Sequence, residues 1–204
     1  MKTILCFGDS LTFGEKDLEE GGWTERLRKY YLNSEKVLPY QSTLVYNLGI
    51  ASETSDGLVA RLESEIRARR IGKQNLIVVM SYGLNDIRIH KDKNIVPIEF
   101  FKRNFTRALD FVSSLKGQAI IVNLPPLNKK LDGVKDLQGN TRFLQDISVY
   151  NELLKQISDE NDVDLIDVHS SLEQHKDIYA SDLLHLNEQG HELIFRALLD
   201  KLNN

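Results

Sequence analysis

Three side chains of this sequence have the types and order needed to turn a hydroxyl into a nucleophile. Gly8-Asp9-Ser10-Leu11 follows a short apolar run, so Ser10 falls where the chain leaves a strand and turns toward a helix, with no side chain at Gly8 to obstruct it. A serine is a poor nucleophile at neutral pH and needs a base within hydrogen-bond reach, itself oriented by a third group. Asp182-Leu183-Leu184-His185, 175 residues later, offers both, with the carboxylate and imidazole close enough on one turn for Asp182 to accept from one ring nitrogen while the other faces Ser10. Acyl transfer also needs donors for the oxyanion of the tetrahedral intermediate, each typically worth about 2.7–4 kcal/mol. Asn47-Leu48-Gly49-Ile50 offers the backbone N–H of Gly49, where a residue without Cβ lets a reacting group approach. Gly83-Leu84-Asn85-Asp86 offers the side-chain amide of Asn85, and the Ser10 N–H makes a third donor.

These residues can meet only if the elements around them place them at one edge. Five β-branched or apolar runs, at Thr3–Phe7, Leu44–Leu48, Leu76–Met80, Ala119–Leu124 and Val163–Val168, alternate with longer stretches of helical spacing. That alternation is the mark of a parallel sheet flanked by helices. The third run is apolar throughout and predicts a mid-sheet strand covered on both faces. Helical periodicity is clearest at Phe143, Ile147, Tyr150, Leu154 and Ile157, and again at Phe101, Phe105, Ala108, Val112 and Leu115 between Pro97 and Gly117. Further helices are expected over about 23–33, over 55–70 and around Leu193–Leu202. Ligands in such sheets bind beyond the carboxyl ends of the strands, and each chemistry-bearing block above lies at such an end or in a later loop.

Taken together, Gly8-Asp9-Ser10-Leu11, Gly49, Gly83-Leu84-Asn85-Asp86 and Asp182-Leu183-Leu184-His185 resemble the blocks of the SGNH, or GDSL, hydrolase superfamily, in the family's order and spacing and across nearly the whole chain. The resemblance implies a three-layer α/β/α sandwich and hydrolysis of an acyl ester, with Ser10 as nucleophile, His185 as base and then acid, and Asp182 orienting His185. The oxyanion hole would be Ser10, Gly49 and Asn85. Many relatives carry proline directly after the histidine, where this chain has Leu186; that position shapes the loop and performs no chemistry. The resulting expectation is one domain over residues 1–204 with a five-stranded parallel sheet in the flavodoxin-like order 2-1-3-4-5. Short acyl or acetyl esters are the expected substrates, with Leu11, Trp23, Leu84 and Leu127 as candidate walls of the acyl site and no metal or organic cofactor. Thioesters and lysophospholipids are alternatives on the same site. Rivals of other classes are a non-catalytic binding module on the same framework and a phosphoryl-transfer enzyme using Asp9.

Plainer uses of the same residues compete with these. Ser10 could cap a helix, and Asp9 is best read as an Asx-type turn holder. Asp86 reads as loop structure bracing Asn85, and Gly49 as a strand-end glycine at positive φ. His169 reads as a strand-end hydrogen bond, His191 as a surface residue on another helical face, Trp23 equally as core, and Cys6 as a small buried hydrophobe. Arg88, His90, Lys91, Lys93, Lys129 and Lys130 form a basic rim that either attracts an anionic substrate or is simply solvated.

Composition narrows the classes further. The 204 residues are 41% hydrophobic and 27% charged, which excludes disordered and collagenous chains, and a net charge of −4 supplies no basic field for nucleic acid. One cysteine allows no intrachain disulfide, the N-terminal apolar run is too short for a signal peptide, and no stretch reaches a membrane-spanning length. A cytoplasmic protein acting on a small-molecule ester is the expectation, with its oligomeric state not legible.

Overall fold

The computed structural model describes residues 2–35, 42–70, 72 and 74–203. Strands β1 (Lys2–Gly8), β2 (Thr43–Gly49), β3 (Asn75–Ser81), β6 (Gln118–Val122) and β7 (Asp164–Ile166) form a five-stranded sheet in the order β2-β1-β3-β6-β7, every neighbouring pair parallel. A separate antiparallel pair, β4 (Ile89–His90) and β5 (Lys93–Asn94), lies in the loop after β3. Counting the main-sheet strands alone, the order is the expected 2-1-3-4-5. The fully apolar third run occupies the centre, and Leu76 to Met80 are all buried there.

Helices α1 (Ser10–Phe13), α2 (Gly22–Glu35), α3 (Ser55–Arg69), α4 (Ile98–Ser114), α5 (Leu144–Asn161), α6 (Val168–Glu173) and α7 (Glu188–Asn203) cover the sheet on both sides. In one row α3, α4 and α5 pack side by side; elsewhere α2 and α6 pack on α7. The steps of four and three read from the sequence are the packing faces. Phe101 and Phe105 of α4 meet Tyr150 of α5 with Phe101 ring centroids 4.8 Å from each, and all three side chains are buried. Each such burial contributes about 1.5–3 kcal/mol.

Two strand ends fall short of the expected spans because side chains there bond the backbone. The Asn123 carboxamide accepts from the N–H groups of Val168 and His169, and Asp167 caps α6 by accepting from Ser170 N–H at 3.1 Å. Pro97 stands one residue before α4 instead of inside its first turn.

The two ends of the described chain are tied together by Arg26. Its buried guanidinium pairs with Asp17, donates from Nε to Glu192 at 3.1 Å and from Nη2 to the Glu188 carbonyl at 3.3 Å. These bonds join the 14–22 loop and α2 to α7. Removing one partner of so buried a pair typically costs about 3–5 kcal/mol.

Candidate active site

β1 ends at Gly8, and the next residue, not the serine, caps the helix. Asp9 Oδ1 accepts from the Leu11 N–H at 3.0 Å, so Asp9 is the N-cap of α1 and Ser10 its first helical residue. This is the Asx-type role expected of Asp9, and it leaves the Ser10 hydroxyl with no capping duty. Ser10 Oγ lies 3.0 Å from His185 Nε2.

His185 is aimed by a turn that closes on itself. Asp182 Oδ1 accepts from the backbone N–H of Leu184 at 3.0 Å and of His185 at 2.9 Å, and Oδ2 lies 2.7 Å from His185 Nδ1. Across the turn, the Ala180 N–H donates to the His185 carbonyl and the Leu183 N–H to the Ala180 carbonyl. Leu183 adopts φ +62°, a left-handed conformation that costs a leucine about 1–2 kcal/mol and that these bonds hold in place. With Nδ1 donating to an acceptor-only carboxylate, Nε2 is left to accept from the Ser10 hydroxyl. Burial raises the Asp182 pKa, but the hydrogen bonds from the His185 ring and the His185 and Leu184 N–H groups outweigh it and hold the carboxylate below its ordinary range. A second carboxylate, Glu15 Oε2, stands 3.6 Å from Nε2. No spacing pattern in the sequence marks Glu15, whose backbone is brought there by a bond from its N–H to the Ser10 carbonyl.

Asn85 is held against Asp9, the residue before Ser10. Its Nδ2 donates to Asp9 Oδ2 and to the Glu53 carbonyl, both at 3.1 Å, and its Oδ1 accepts from Arg142 Nη2 at 3.3 Å. Burial pushes the Asp9 carboxyl up to about 6, against the Leu11 N–H and the positive charge of Arg142. Glu53 is fixed in turn by Arg61 and by the Tyr82 hydroxyl, which donates to it at 2.6 Å. The Asp86 side chain makes no hydrogen bond to that of Asn85. It accepts from both the N–H and the hydroxyl of Ser55, pinning the start of α3 beneath the loop, and burial pushes it up to about 7.

Gly49 ends β2 beside Gly8, with its N–H donating to Asn47 Oδ1 at 3.0 Å. It is not among the positive-φ residues, so that expectation is corrected. Glycine is needed there because a Cβ would stand 2.1 Å from the Phe13 nitrogen, where α1 crosses the end of the strand.

Of the four candidate wall residues, Leu127 borders open space. A cavity of about 360 Å³ is lined by Leu127, Leu131, Val134, Leu184, Arg142 and Asp182, so it runs from the Asn85 side of the site to the His185 side. Leu11 and Leu84 are buried, and Trp23, wholly buried on α2, belongs to the core. Lys129 and Lys130 open with His169, His175 and Lys176 onto a neighbouring cavity of about 560 Å³, while Arg88 turns back to the Asn85 carbonyl at 3.0 Å. His169 makes the expected strand-end bond, to the Leu124 carbonyl.

His191 is a correction: it is fully buried in α7. The rotation argument fails because His185 lies outside α7, so no helical angle relates the two. Burial pushes the His191 imidazole down to about 4, and its ring nitrogens have no well-formed hydrogen-bond partner among the described residues. Cys6 is buried in β1, which raises its thiol. Among the described residues, no group of three or more His, Cys, Asp or Glu side chains could hold a metal ion, and no helix is long and apolar enough to cross a membrane.

Comparison with known proteins places this geometry. The model of the GDSL-like lipase/acylhydrolase family matches residues 6–193. The chain belongs to this family. Its class is that of the carboxylic ester hydrolases. No curated protein matches the sequence. Solved structures similar to this GDSL-like chain include a lipase/acylhydrolase from Enterococcus faecalis, 20% identical with a TM-score of 0.77, covering 99% of this chain and 95% of that one. An acetylxylan esterase from Geobacillus stearothermophilus is 22% identical with a TM-score of 0.74, over 100% and 94%. A psychrotrophic esterase from a Pseudoalteromonas species, solved with monoethylphosphonate as inhibitor, is 21% identical with a TM-score of 0.73 over all of both chains. At such identities the likeness speaks for the GDSL-like fold.

Proposed function

We propose that the protein is a serine hydrolase that cleaves short-chain carboxylic esters, acetyl esters included, through an acyl-enzyme. The observation that carries this reading is the unbroken chain from Ser10 Oγ through the His185 ring to Asp182, with steps of 3.0 and 2.7 Å. Ser10 Oγ bonds to the ester carbonyl carbon as its proton passes to His185 Nε2, and the carbonyl π pair becomes the oxyanion. Collapse breaks the bond to the leaving alkoxide, which takes the proton from Nε2. Water then repeats the sequence on the acyl-serine, releasing the carboxylic acid and restoring Ser10. Asp182, kept ionised, stabilises the imidazolium that forms twice per turnover.

In the proposed oxyanion hole, the Ser10 N–H lies in the first turn of α1, where it has no intrahelical acceptor. Asn85 and Gly49 contribute by exchange, because a charge-assisted bond to an oxyanion is roughly twice as strong as the neutral bonds to the Glu53 carbonyl and Asn47 Oδ1 that it replaces. An acetyl preference is supported by the acetylxylan esterase among the similar structures. The whole chain as one domain, located in the cytoplasm, fits a single free buried cysteine.

The test is labelling by a fluorophosphonate probe together with hydrolysis of p-nitrophenyl esters from acetate to decanoate. Rapid labelling lost in Ser10→Ala, with rates highest at acetate, is expected. Unimpaired hydrolysis by Ser10→Ala, or magnesium-dependent phosphatase activity that needs Asp9, would overturn the reading.

A further inference from the structure

Arg142 is a buried cation in the place where a reaction of this kind builds negative charge. Arg142 is 8% exposed as a residue, and no carboxylate among the described residues lies within ion-pairing reach of its guanidinium. Burial, with the like charge of Arg88, pushes it down to about 10, so it stays protonated at neutral pH. Asp136 and Asp9 act on it as negative charges beyond direct pairing distance. A charge buried without a direct ion pair is costly, and the backbone around this one is fixed on both sides. The Arg142 carbonyl accepts from the Gly133 N–H, and Thr141 is bridged to Ile89 at the edge of the β4–β5 hairpin. The side chain is thereby directed at the loop after β3, where Nε donates to the Leu84 carbonyl at 2.7 Å and Nη2 to Asn85 Oδ1 at 3.3 Å.

The chemistry of that second bond is one-sided. A guanidinium has donors only, so the Asn85 oxygen must face Arg142 and the amide nitrogen must face away from it, toward Asp9 and the Glu53 carbonyl. If Nδ2 moves one N–H from the Glu53 carbonyl to an oxyanion, the bond at the oxygen end keeps the amide in register while its other end changes acceptor. A cation at the amide oxygen also polarises the group and strengthens its N–H donors.

We propose that Arg142 is the positioning residue of the oxyanion hole, tethering the oxygen end of Asn85 and polarising its amide. This inference rests on the Ser10 reading above. It assigns Arg142 no contact with the reacting atoms.

A double-mutant cycle on p-nitrophenyl acetate, with fluorophosphonate labelling in parallel, tests it. Arg142→Met lowers kcat about 10- to 100-fold, less than the 100- to 1,000-fold typical for loss of a whole donor, and leaves KM within about twofold. In an Asn85→Ala background, Arg142→Met lowers kcat by no more than about threefold further, because the group it positions is gone. Arg142→Lys restores part of the loss, since it keeps the charge but cannot fork to both acceptors. Should Arg142→Met fail to melt cooperatively, Arg142→Lys in the two backgrounds carries the same comparison. Full multiplicative losses in the double variant, a rise in KM with kcat retained, or labelling of Arg142→Met as fast as wild type would overturn the inference. A wild-type chain that neither labels nor hydrolyses would overturn the Ser10 reading, and this inference with it.

Discussion

Asp182 and Asp9 flank the same serine, and their surroundings drive them in opposite directions. Asp182 keeps about a third of its side chain in solvent and collects three hydrogen bonds from a turn of four residues, which hold it below the ordinary carboxylate range. Asp9 is buried, takes one bond from its own helix and one from Asn85, and is pushed up to about 6. One carboxylate is a permanent acceptor; the other sits near its midpoint in slightly acid solution. The difference follows from burial first and aligned N–H groups second: Asp9 is enclosed with few donors, whereas the partly exposed Asp182 has three donors that outweigh its burial.

The largest break in this comparison comes from neutralising the well-bonded member. Asp182→Asn is expected to lower kcat about 10,000-fold on p-nitrophenyl acetate with the fold intact, because an amide offers the His185 ring a donor where it needs an acceptor and favours the wrong tautomer. Next comes a third buried group, which extends the contrast to stability. The folded His191 takes up its proton only near pH 4, whereas an unfolded imidazole does so near 6.5, so across that window the unfolded chain binds more protons and stability falls as pH falls. Its share is about 3 kcal/mol. Urea melts at pH 7 and 4.5 should show His191→Gln losing correspondingly less stability than wild type over this interval; equal losses would remove His191 from the acid response.

Neutralising the buried member has a smaller effect on rate. Asp9→Asn is expected to cost about 10- to 100-fold in kcat, because its new amide either points N–H groups at Asn85 Nδ2 or gives up the cap bond to Leu11. Steady-state kinetics with a fluorophosphonate titration of active sites would measure it. The smallest effect belongs to the cavity between the two arms. Leu131→Ala is expected to change the ratio of decanoate to acetate hydrolysis by less than about tenfold while leaving acetate turnover alone.

What the sequence made legible follows from how local each signal is. Ser10 and the Asp182–His185 pair are defined by residue type and short spacing, and the sheet order by strands whose β-branched runs stand apart from helical periodicity. Helix α6 was missed, and the helix expected after Ser10 was given no bounds, because six and four residues are too few to show a period. Arg142 and Glu53 were missed for another reason: each acts on Asn85 across dozens of residues, and only the fold brings them together. The same holds for Trp23 and His191, whose types suit a pocket or a surface as well as a core until neighbouring helices are in place. Gly49 was found for one reason and needed for a second, the crossing of α1.

Ser10, at the start of α1, and His185, in the loop before α7, stand 175 residues apart in the chain and meet beside a seam that Arg26 stitches between α2 and α7. On the proposed reading, activity requires this long-range contact, so secondary structure alone leaves the hydroxyl inert. A chromogenic ester added to a refolding mixture becomes a clock for closure of that seam, and loosening Arg26 delays the clock without touching a single reacting atom.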